Sequence, residues 1–344
     1  MTQEDQHTDC LLQLSNSKEG PGIEAIKSLD LEKTAIFTGA CVDPDGLASG
    51  MTMKAIVELF GGSAQIFVRG SFNRPQNKTM REVLSIDAKS IEEFEETAYT
   101  STISVDGPGE VCPKWPDIII DHHKSGKEAK SFTDVRPTGS ASAIMWLYAQ
   151  CAGIDFSEEQ HMILATALAI GISTDTSNFE DEGATTLDYT AYADCLGKKD
   201  HKLFLSILNF PKPPYYNDMY ATGWENKDWE GTVLVTGLGD LSEGRSGVIS
   251  DLAEGYNRTH GINTTLVIAL VGNEIWASMR SSNTALDVNE FMKKHGGGGK
   301  RGAGAARIPL PLLEGATPED RMSVYAAYLS ILSSRCMQYA GDES

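Results

Sequence analysis

The stretch Asp117-Ile118-Ile119-Ile120-Asp121-His122-His123 decides how this 344-residue chain is expected to fold. Its three consecutive isoleucines lack the alternation of a strand with one solvated face, so both faces of the predicted strand must be covered. Such a strand is typical of a parallel sheet with helices on both faces. The Asp-His-His that follows brings three polar groups together where a buried segment ends, and metal ligation is one interpretation of them.

Short apolar runs alternate with helical segments on either side of this strand. Before it, the pattern predicts strands at 34–38, 64–68 and 102–105 and helices at 47–60 and 78–84. After it, the pattern predicts helices at 140–151, 158–172 and 185–196. This order indicates an α/β fold built from parallel βαβ units.

Pro211-Lys212-Pro213-Pro214 interrupts the alternation and is the best linker candidate. Beyond it, strands and helices resume, with a hairpin around Gly272-Asn273 and a final helix at 318–339. We therefore predict a flexible segment over residues 1–25, a first domain over 26–200, a linker over 201–228 and a smaller α/β domain over 229–340.

Charge and composition narrow the classes of function. The chain has 29 basic and 48 acidic side chains, a formal net charge of −19, which disfavours a protein that coats long nucleic acids. A small anionic substrate is compatible with this charge if metal ions or local basic residues offset the negative electrostatic field of the protein. The six cysteines form no CxxC pair, which favours a reducing cytoplasm. The acidic N-terminus and the short apolar stretch at 161–172 predict neither a secretory signal nor a membrane span.

Four acidic or histidine clusters each follow an apolar strand or helix. They are Asp43-Pro44-Asp45-Gly46, Asp106, Asp121-His122-His123 and Asp175. Asp43-Pro44-Asp45-Gly46 alone is an ordinary turn, and Asp106 or Asp175 alone is an ordinary loop residue or helix cap, but three of the four clusters follow strands whose carboxyl ends meet at one edge of a parallel sheet. Carboxylate oxygens with an imidazole suit Mn²⁺ or Mg²⁺, as one ion or as a pair.

In this order the clusters resemble the four motifs of the DHH phosphoesterases. The run Gly296-Gly297-Gly298-Gly299-Lys300-Arg301-Gly302 resembles the glycine loop of the DHHA1 domain that accompanies them, and Arg280 resembles that domain's strand-end arginine. The resemblance covers residues 30–310. It is closest to two-domain enzymes that degrade very short oligonucleotides, many of which also dephosphorylate 3′-phosphoadenosine 5′-phosphate, and RecJ-like exonucleases share the motifs.

The resemblance implies a role for each matching residue. The metal ligands would be Asp43, Asp45, Asp106, His122 and Asp175, with Asp106 bridging. Three residues would be catalytic. His123 would contact the substrate phosphate, Asp121 would hold a neighbouring imidazole, and Asp106 would act as the bridging ligand. The substrate-binding residues, in the second domain, would be Arg280, Ser281, Gly297, Gly298, Gly299, Lys300 and Arg301. The active cleft would lie between the two domains.

The implied activity is a Mn²⁺-dependent phosphodiesterase or exonuclease, with Mg²⁺ or Co²⁺ as alternative ions, that releases 5′-mononucleotides from short RNA or DNA. A homodimer is compatible with it. Two departures leave alternatives open: Cys41 lies where the nano-RNase branch has a histidine, and Lys300 lies where the glycine loop carries a histidine. The alternatives are a 3′-phosphoadenosine 5′-phosphate phosphatase, a cyclic-dinucleotide phosphodiesterase, and a non-catalytic nucleotide-binding protein with a degraded metal site.

Overall fold

The four strands predicted in the first half belong, with two strands that were not predicted, to one six-stranded sheet in which every strand is parallel to its neighbours. The computed structural model describes residues 20–39, 41–123 and 127–342. The strands are β1 (Thr34–Thr38), β2 (Ala64–Val68), β3 (Ala88–Ser90), β4 (Ser101–Val105), β5 (Ile118–Asp121) and β6 (Phe132–Val135). Their order in the sheet is β3-β2-β1-β4-β5-β6, which confirms the predicted parallel sheet.

Helices cover one face of this sheet and surround its core. They are α1 (Pro21–Lys27), α2 (Pro44–Leu59), α3 (Pro75–Val83), α4 (Ala141–Ala152), α5 (Met162–Asp175), α6 (Thr186–Lys198) and α7 (His201–Leu208). Every residue of α5 from Leu164 to Ser173 is buried, because α5 packs against α2 on one side and α6 on the other. A helix enclosed in this way has no solvated face and therefore no amphipathic period.

Aromatic rings cover the other face of β1 and β2. Phe37 and Phe67 pack there against Phe94 and Tyr99, with ring centroids 5.0 to 6.0 Å apart. Phe94 and Tyr99 lie in a segment of short 3₁₀ turns between β3 and β4. Both faces of the central strands are thus buried, as their unbroken apolar sequence predicts.

The second half of the chain has its own mixed six-stranded sheet. Its strands are β7 (Asp228–Glu230), β8 (Val233–Leu241), β9 (Thr264–Val271), β10 (Glu274–Ser281), β11 (Gly298–Lys300) and β12 (Ala303–Pro309), in the order β11-β12-β10-β9-β8-β7. Only β8 and β9 pair in parallel. The helices are α8 (Tyr215–Glu225), α9 (Val248–Asn257), α10 (Val288–Lys293) and α11 (Pro318–Asp342).

The chain divides into two compact units. Unit 1 contains the described residues up to Phe72 together with Gln76–Pro211, and unit 2 contains Asn73–Pro75 and the described residues from Lys212 onward. The segment predicted as a linker, 201–228, contains the two helices α7 and α8. Of the predicted flexible segment, residues 1–19 lie outside the described part, and residues 21–25 belong to α1.

The structure shows no disulfide among the five cysteines that it describes, Cys41, Cys112, Cys151, Cys195 and Cys336. Cys195 is buried and Cys151 is half-buried. Cys10 lies outside the described residues. Along the described ranges, no helix combines the length and the apolar character that crossing a membrane requires.

Candidate metal centre

Three of the four acidic and histidine clusters lie at the carboxyl ends of three adjacent strands, and the fourth, Asp175, is the last residue of α5. β1, β4 and β5 are neighbours in the sheet, and Asp43, Asp106 and Asp121 come at or shortly after their ends. The order of strand addition reverses between β1 and β4, and such a switch point leaves a crevice at the strand ends. Asp106 has a φ of 56°, a left-handed conformation that costs a residue with a side chain about 1 kcal/mol or more and is concentrated at functional sites.

Among the candidate metal ligands, His122 has the best-defined ring orientation. Its Nδ1 lies 3.0 Å from the carbonyl oxygen of Thr138. Because a carbonyl only accepts, Nδ1 donates this hydrogen bond, and Nε2 is the nitrogen that faces the carboxyl groups. That Nε2 is buried without a hydrogen-bond partner and lies 3.1 Å from Asp175 Oδ2, 3.4 Å from Asp106 Oδ1 and 4.0 Å from Asp45 Oδ2. An imidazole nitrogen without a hydrogen bond among three carboxyl groups is a donor set that fits a metal ion.

Asp45 takes its position from the N-terminus of α4. Its two carboxylate oxygens accept hydrogen bonds from the backbone amides of Ala141 and Ser142, each at 2.8 Å. These amides are among those that a helix leaves without an internal partner, and the helix dipole favours negative charge at this end. Burial nevertheless raises the pKa of Asp45 to about 6, with a further contribution from the charge of Asp175.

Asp106 and Asp121 each have one buried oxygen, Oδ1 and Oδ2 respectively, without a hydrogen-bond partner. Burial raises the pKa of Asp106 well above its ordinary value, and the carboxylates of Asp45 and Asp43 add to the rise. Buried carboxylate oxygens in folded proteins normally accept hydrogen bonds. The unpartnered Asp106 Oδ1 beside His122 Nε2 is thus a second observation that fits a bound cation.

His123 is the exposed member of the cluster. Its side chain is 48% exposed, whereas that of His122 is 5% exposed. His123 Nδ1 lies 2.9 Å from Asp121 Oδ1, which also accepts hydrogen bonds from the backbone amides of His122 and His123. The carboxylate holds the ring with a proton on Nδ1, so Nε2 is the nitrogen available to a substrate.

The structure brings four of the five predicted metal ligands together. Asp45, His122 and Asp175 offer ligand atoms within 4.8 Å of one another, and Asp106 shares a second group of this kind with His122 and two neighbours, Asp121 and His123. The described residues of this cluster can therefore hold a metal ion.

Asp43 belongs to neither group of donors. It is the N-cap of α2, where its Oδ1 accepts from the amide of Gly46 at 2.8 Å. Its charge nevertheless contributes to the raised pKa values of Asp45 and Asp106, so its carboxylate lies near theirs. Cys41 Sγ lies 3.5 Å from Asp43 Oδ2.

The residues that support these donors, above all Asp188, are not among the predicted site residues. Asp188 is buried and accepts a hydrogen bond from Thr138 Oγ1 at 2.7 Å, and the carbonyl of the same Thr138 holds His122. The available signal was the pattern Thr185-Thr186-Leu187-Asp188 at the start of α6, since a Thr followed three residues later by an acid marks a capping box.

In unit 2, Arg280 is the predicted substrate-binding residue with the most distinctive surroundings. Its Nη1 donates to Ser278 Oγ at 3.1 Å and to the Met279 carbonyl at 2.9 Å, and it forms no salt bridge within the residues that the structure describes. Burial, together with the positive charge of Arg74, lowers the pKa of Arg280 to about 10. It remains a cation at neutral pH, so its surroundings suit an anionic ligand.

The glycine run has a structural role of its own. Gly298–Lys300 form β11, which pairs with β12, and a Cβ at Gly297 or Gly299 would lie 2.1 or 2.2 Å from a carbonyl oxygen of that strand. The amide of Gly297 donates to the Met292 carbonyl and that of Gly299 to Asn289 Oδ1. These two amides are thus used within the protein, and contact between this run and a nucleotide stays a prediction.

Ser281 and Arg301 also have partners within unit 2. Ser281 Oγ lies 2.9 Å from Thr264 Oγ1, and Arg301 donates through Nε and Nη2 to the Thr284 carbonyl. Lys300 lies at the end of β11. Their predicted contacts with a substrate likewise stay predictions.

The raised pKa of Asp45 predicts how the stability of the metal-free protein depends on pH. The group titrates near 3.8 in the unfolded chain and near 6 in the folded one, so the stability it contributes is full below pH 3.8 and is lost as the pH rises through 6. The shift corresponds to about 3 kcal/mol. We expect calorimetry of the metal-free protein to show a melting temperature that falls between about pH 4 and 7, and Mn²⁺ to restore it at pH 7.

The control for this prediction is Asp45→Asn, which keeps the shape of the side chain and removes its charge. The variant should show a shallower decline in melting temperature over the same pH range. An unchanged decline would show that Asp45 is not its cause.

Comparison with known proteins gives one curated relative and a set of solved structures. No family model matches the chain. An uncharacterized protein of Methanocaldococcus jannaschii is 30% identical over 315 residues, covering 86% of this chain and 64% of the relative. The chain therefore spans just under two thirds of the length of that relative.

Among solved structures, an exopolyphosphatase-related protein from Bacteroides fragilis is similar to the chain with a TM-score of 0.66 and 14% identity, covering 90% of this chain and 96% of that one. RecJ from Thermus thermophilus, in complex with Mn²⁺, aligns with a TM-score of 0.44 and 14% identity over 89% of this chain and 54% of that one. The first of these likenesses establishes the fold.

Proposed function

We propose that this chain, which has the fold of the DHH phosphoesterases, is a metal-dependent phosphodiesterase that releases 5′-mononucleotides from very short oligonucleotides. The observation that carries the proposal is that the buried His122 Nε2, which has no hydrogen-bond partner, lies within 4.0 Å of three carboxyl groups. Mn²⁺ is the ion we expect, with Mg²⁺ or Co²⁺ as alternatives, because the donors are carboxylate oxygens and an imidazole.

The residues that would hold one or two ions are Asp45, Asp106, His122 and Asp175, with Asp43 beside them. Divalent ions bound there would activate water and stabilise charge on a phosphoryl group. The protein's own contribution is to keep the donors fixed before the ion arrives: Asp45 is held by two helix amides and His122 by the Thr138 carbonyl. Fixed donors reduce the reorganisation that binding requires.

His123 is the residue we assign to the substrate. Its Nδ1–H donates to Asp121, and this buried carboxylate fixes the orientation of the ring. Nε2 is therefore the nitrogen that would contact a phosphate oxygen or exchange a proton with the leaving group. The exposure of the ring, about half of its surface, is compatible with access by a substrate.

Charge supports a short substrate. A net charge of −19 repels a long polyanion, because each phosphate outside the site adds repulsion without a compensating cation. Arg280, a partly buried cation without a carboxylate partner in the described chain, is suited to one phosphate of a short oligonucleotide.

A hydrolysis panel tests the proposed function. The metal-free protein is supplied with Mn²⁺, Mg²⁺ or Co²⁺ and given RNA and DNA of two to about twenty nucleotides, 3′-phosphoadenosine 5′-phosphate and a cyclic dinucleotide. We expect Mn²⁺-dependent release of 5′-mononucleotides, fastest from the shortest oligonucleotides. Turnover of 3′-phosphoadenosine 5′-phosphate alone would instead indicate a monoesterase. Mn²⁺ binding without turnover of any compound would indicate a nucleotide-binding protein.

A further inference from the structure

Asp188 is the centre of a buried hydrogen-bond cluster next to the metal donors. Its side chain is fully buried. Oδ2 accepts from Thr138 Oγ1 and from the amides of Gly139 and Thr185, at 2.7 to 2.8 Å, and Oδ1 accepts from Ser140 Oγ at 2.9 Å. A helix N-terminus alone needs one such acceptor, so the remaining contacts serve the loop of residues 138–140.

One branch of this cluster leads to His122. Asp188 holds both the hydroxyl of Thr138 and the following amide, that of Gly139. These two contacts fix the peptide group between Thr138 and Gly139, whose carbonyl accepts from His122 Nδ1. The orientation of that carbonyl decides which ring nitrogen carries the proton, and hence that Nε2 faces the carboxylates.

The other branch leads to Asp45. Ser140, which donates to Asp188 Oδ1, is the N-cap of α4 and accepts from the amide of Ala143. The next two amides, those of Ala141 and Ser142, hold the carboxylate of Asp45. Asp188 therefore fixes the start of the helix against which Asp45 is held.

The packing around the loop permits little rearrangement. A Cβ at Gly139 would lie 2.7 Å from Thr176 Cγ2 and 3.1 Å from Asp188 Oδ2. Thr176 directly follows the candidate ligand Asp175. Loss of the Asp188 contacts would therefore disturb a tightly packed segment that adjoins three of the four clustered donors.

We propose that Asp188 is a positioning residue of the metal centre. Through residues 138–140 it sets the tautomer of His122 and the position of the Asp45 carboxylate. The inference rests on the metal centre of the proposed function and not on the identity of the substrate. It predicts that removing Asp188 weakens metal binding by about 10- to 100-fold, the range typical of groups that orient metal ligands.

The test compares Asp188→Ala and Asp188→Asn with Asp200→Ala. Asp200 caps α7 in the same unit by accepting from the amides of Lys202 and Leu203, so its removal costs a helix cap, about 1 kcal/mol, without touching the donors. Mn²⁺ affinity is measured by titration calorimetry, thermal stability by scanning calorimetry, and the tautomer of His122 in the metal-free protein by the ¹⁵N shifts of its ring.

We expect Asp188→Ala to lose 10- to 100-fold in Mn²⁺ affinity and to shift the ring nitrogen signals of His122. Asp188→Asn retains one acceptor oxygen and should recover part of the affinity. Asp200→Ala should lower the melting temperature and leave affinity and ring shifts unchanged. If Asp188→Ala does not fold, Thr138→Val, which removes the hydroxyl and its contacts with Asp188 and Thr185 but keeps the Gly139 amide contact, should show the same ring shift with a smaller loss of affinity.

Unchanged affinity and unchanged ring shifts in the folded Asp188 or Thr138 variants would overturn the inference. Failure of the proposed function gives a different result. If the wild-type protein binds Mn²⁺ but hydrolyses nothing, the affinities still decide the role of Asp188. If it binds no Mn²⁺ at all, both the proposed function and this inference fall.

Discussion

Asp106→Asn is expected to lower Mn²⁺-dependent hydrolysis by at least about 1,000-fold, equivalent to about 4 kcal/mol of transition-state stabilisation. Asp106 contributes the buried, unpartnered Oδ1 next to His122 Nε2, and an amide cannot supply the negative charge that a divalent ion requires. The same change removes a buried carboxyl whose pKa is raised by burial. The metal-free variant should therefore be at least as stable as the wild type at pH 7.

The measurement is kcat with a dinucleotide substrate, together with the melting temperature of the metal-free protein. Asp87→Asn, which changes an exposed carboxylate of the same unit, is the matched control and should leave both unchanged. Retained turnover in the Asp106 variant would contradict the assignment of Asp106 to the metal centre. A large loss of stability would show that its role is structural.

Arg280→Met is the second change with a large expected effect, a loss of about 100-fold in kcat/KM for a dinucleotide. A partly buried guanidinium that donates to a phosphate contributes about 2 to 3 kcal/mol, and methionine preserves much of the apolar volume while removing the charge. Because Arg280 lies in unit 2 and is not among the metal donors, Mn²⁺ affinity should stay unchanged. This separation distinguishes a substrate-binding role from a metal-binding one.

Arg258→Met is the control for Arg280, since Arg258 belongs to the same unit and its side chain is 55% exposed. It should leave kcat/KM within about twofold of the wild type. If Arg280→Met retains full kcat/KM, the anionic ligand of Arg280 is not the substrate. If it loses Mn²⁺ affinity as well, the variant is misfolded, and its melting temperature will show it.

The central strands could be predicted from the sequence because their burial is complete. β1 and β2 have the predicted bounds, and β5 differs from the prediction by one residue, since an unbroken apolar run leaves few alternatives. The likeness to the structure from Bacteroides fragilis confirms the predicted fold. The proximity of His122 and Asp175 agrees with the sequence pattern, because polar residues directly after buried segments are costly unless they have a role. Their role as metal ligands stays a prediction.

The edges of the sheets and the supporting contacts could not be predicted in the same way. β3, β6 and β11 are short or partly exposed, so their sequences lack a clear period. The glycine run was predicted as a ligand-binding loop, and its pairing with β12 depends on residues that approach it only in the folded chain. The role of Asp188 depends on contacts with Thr138 and Ser140, about fifty residues away, which no local pattern encodes.

The wide spacing of the clustered donors along the chain, from Asp45 to Asp175, bears on biogenesis. A nascent chain that has left the ribosome only as far as β5 contains Asp45 and Asp106 but neither the α4 amides nor Asp175. Such an intermediate offers an incomplete set of donors, so we expect the ion to be captured after synthesis of this unit. Protein made during metal starvation would then be activated later, when the supply of metal returns.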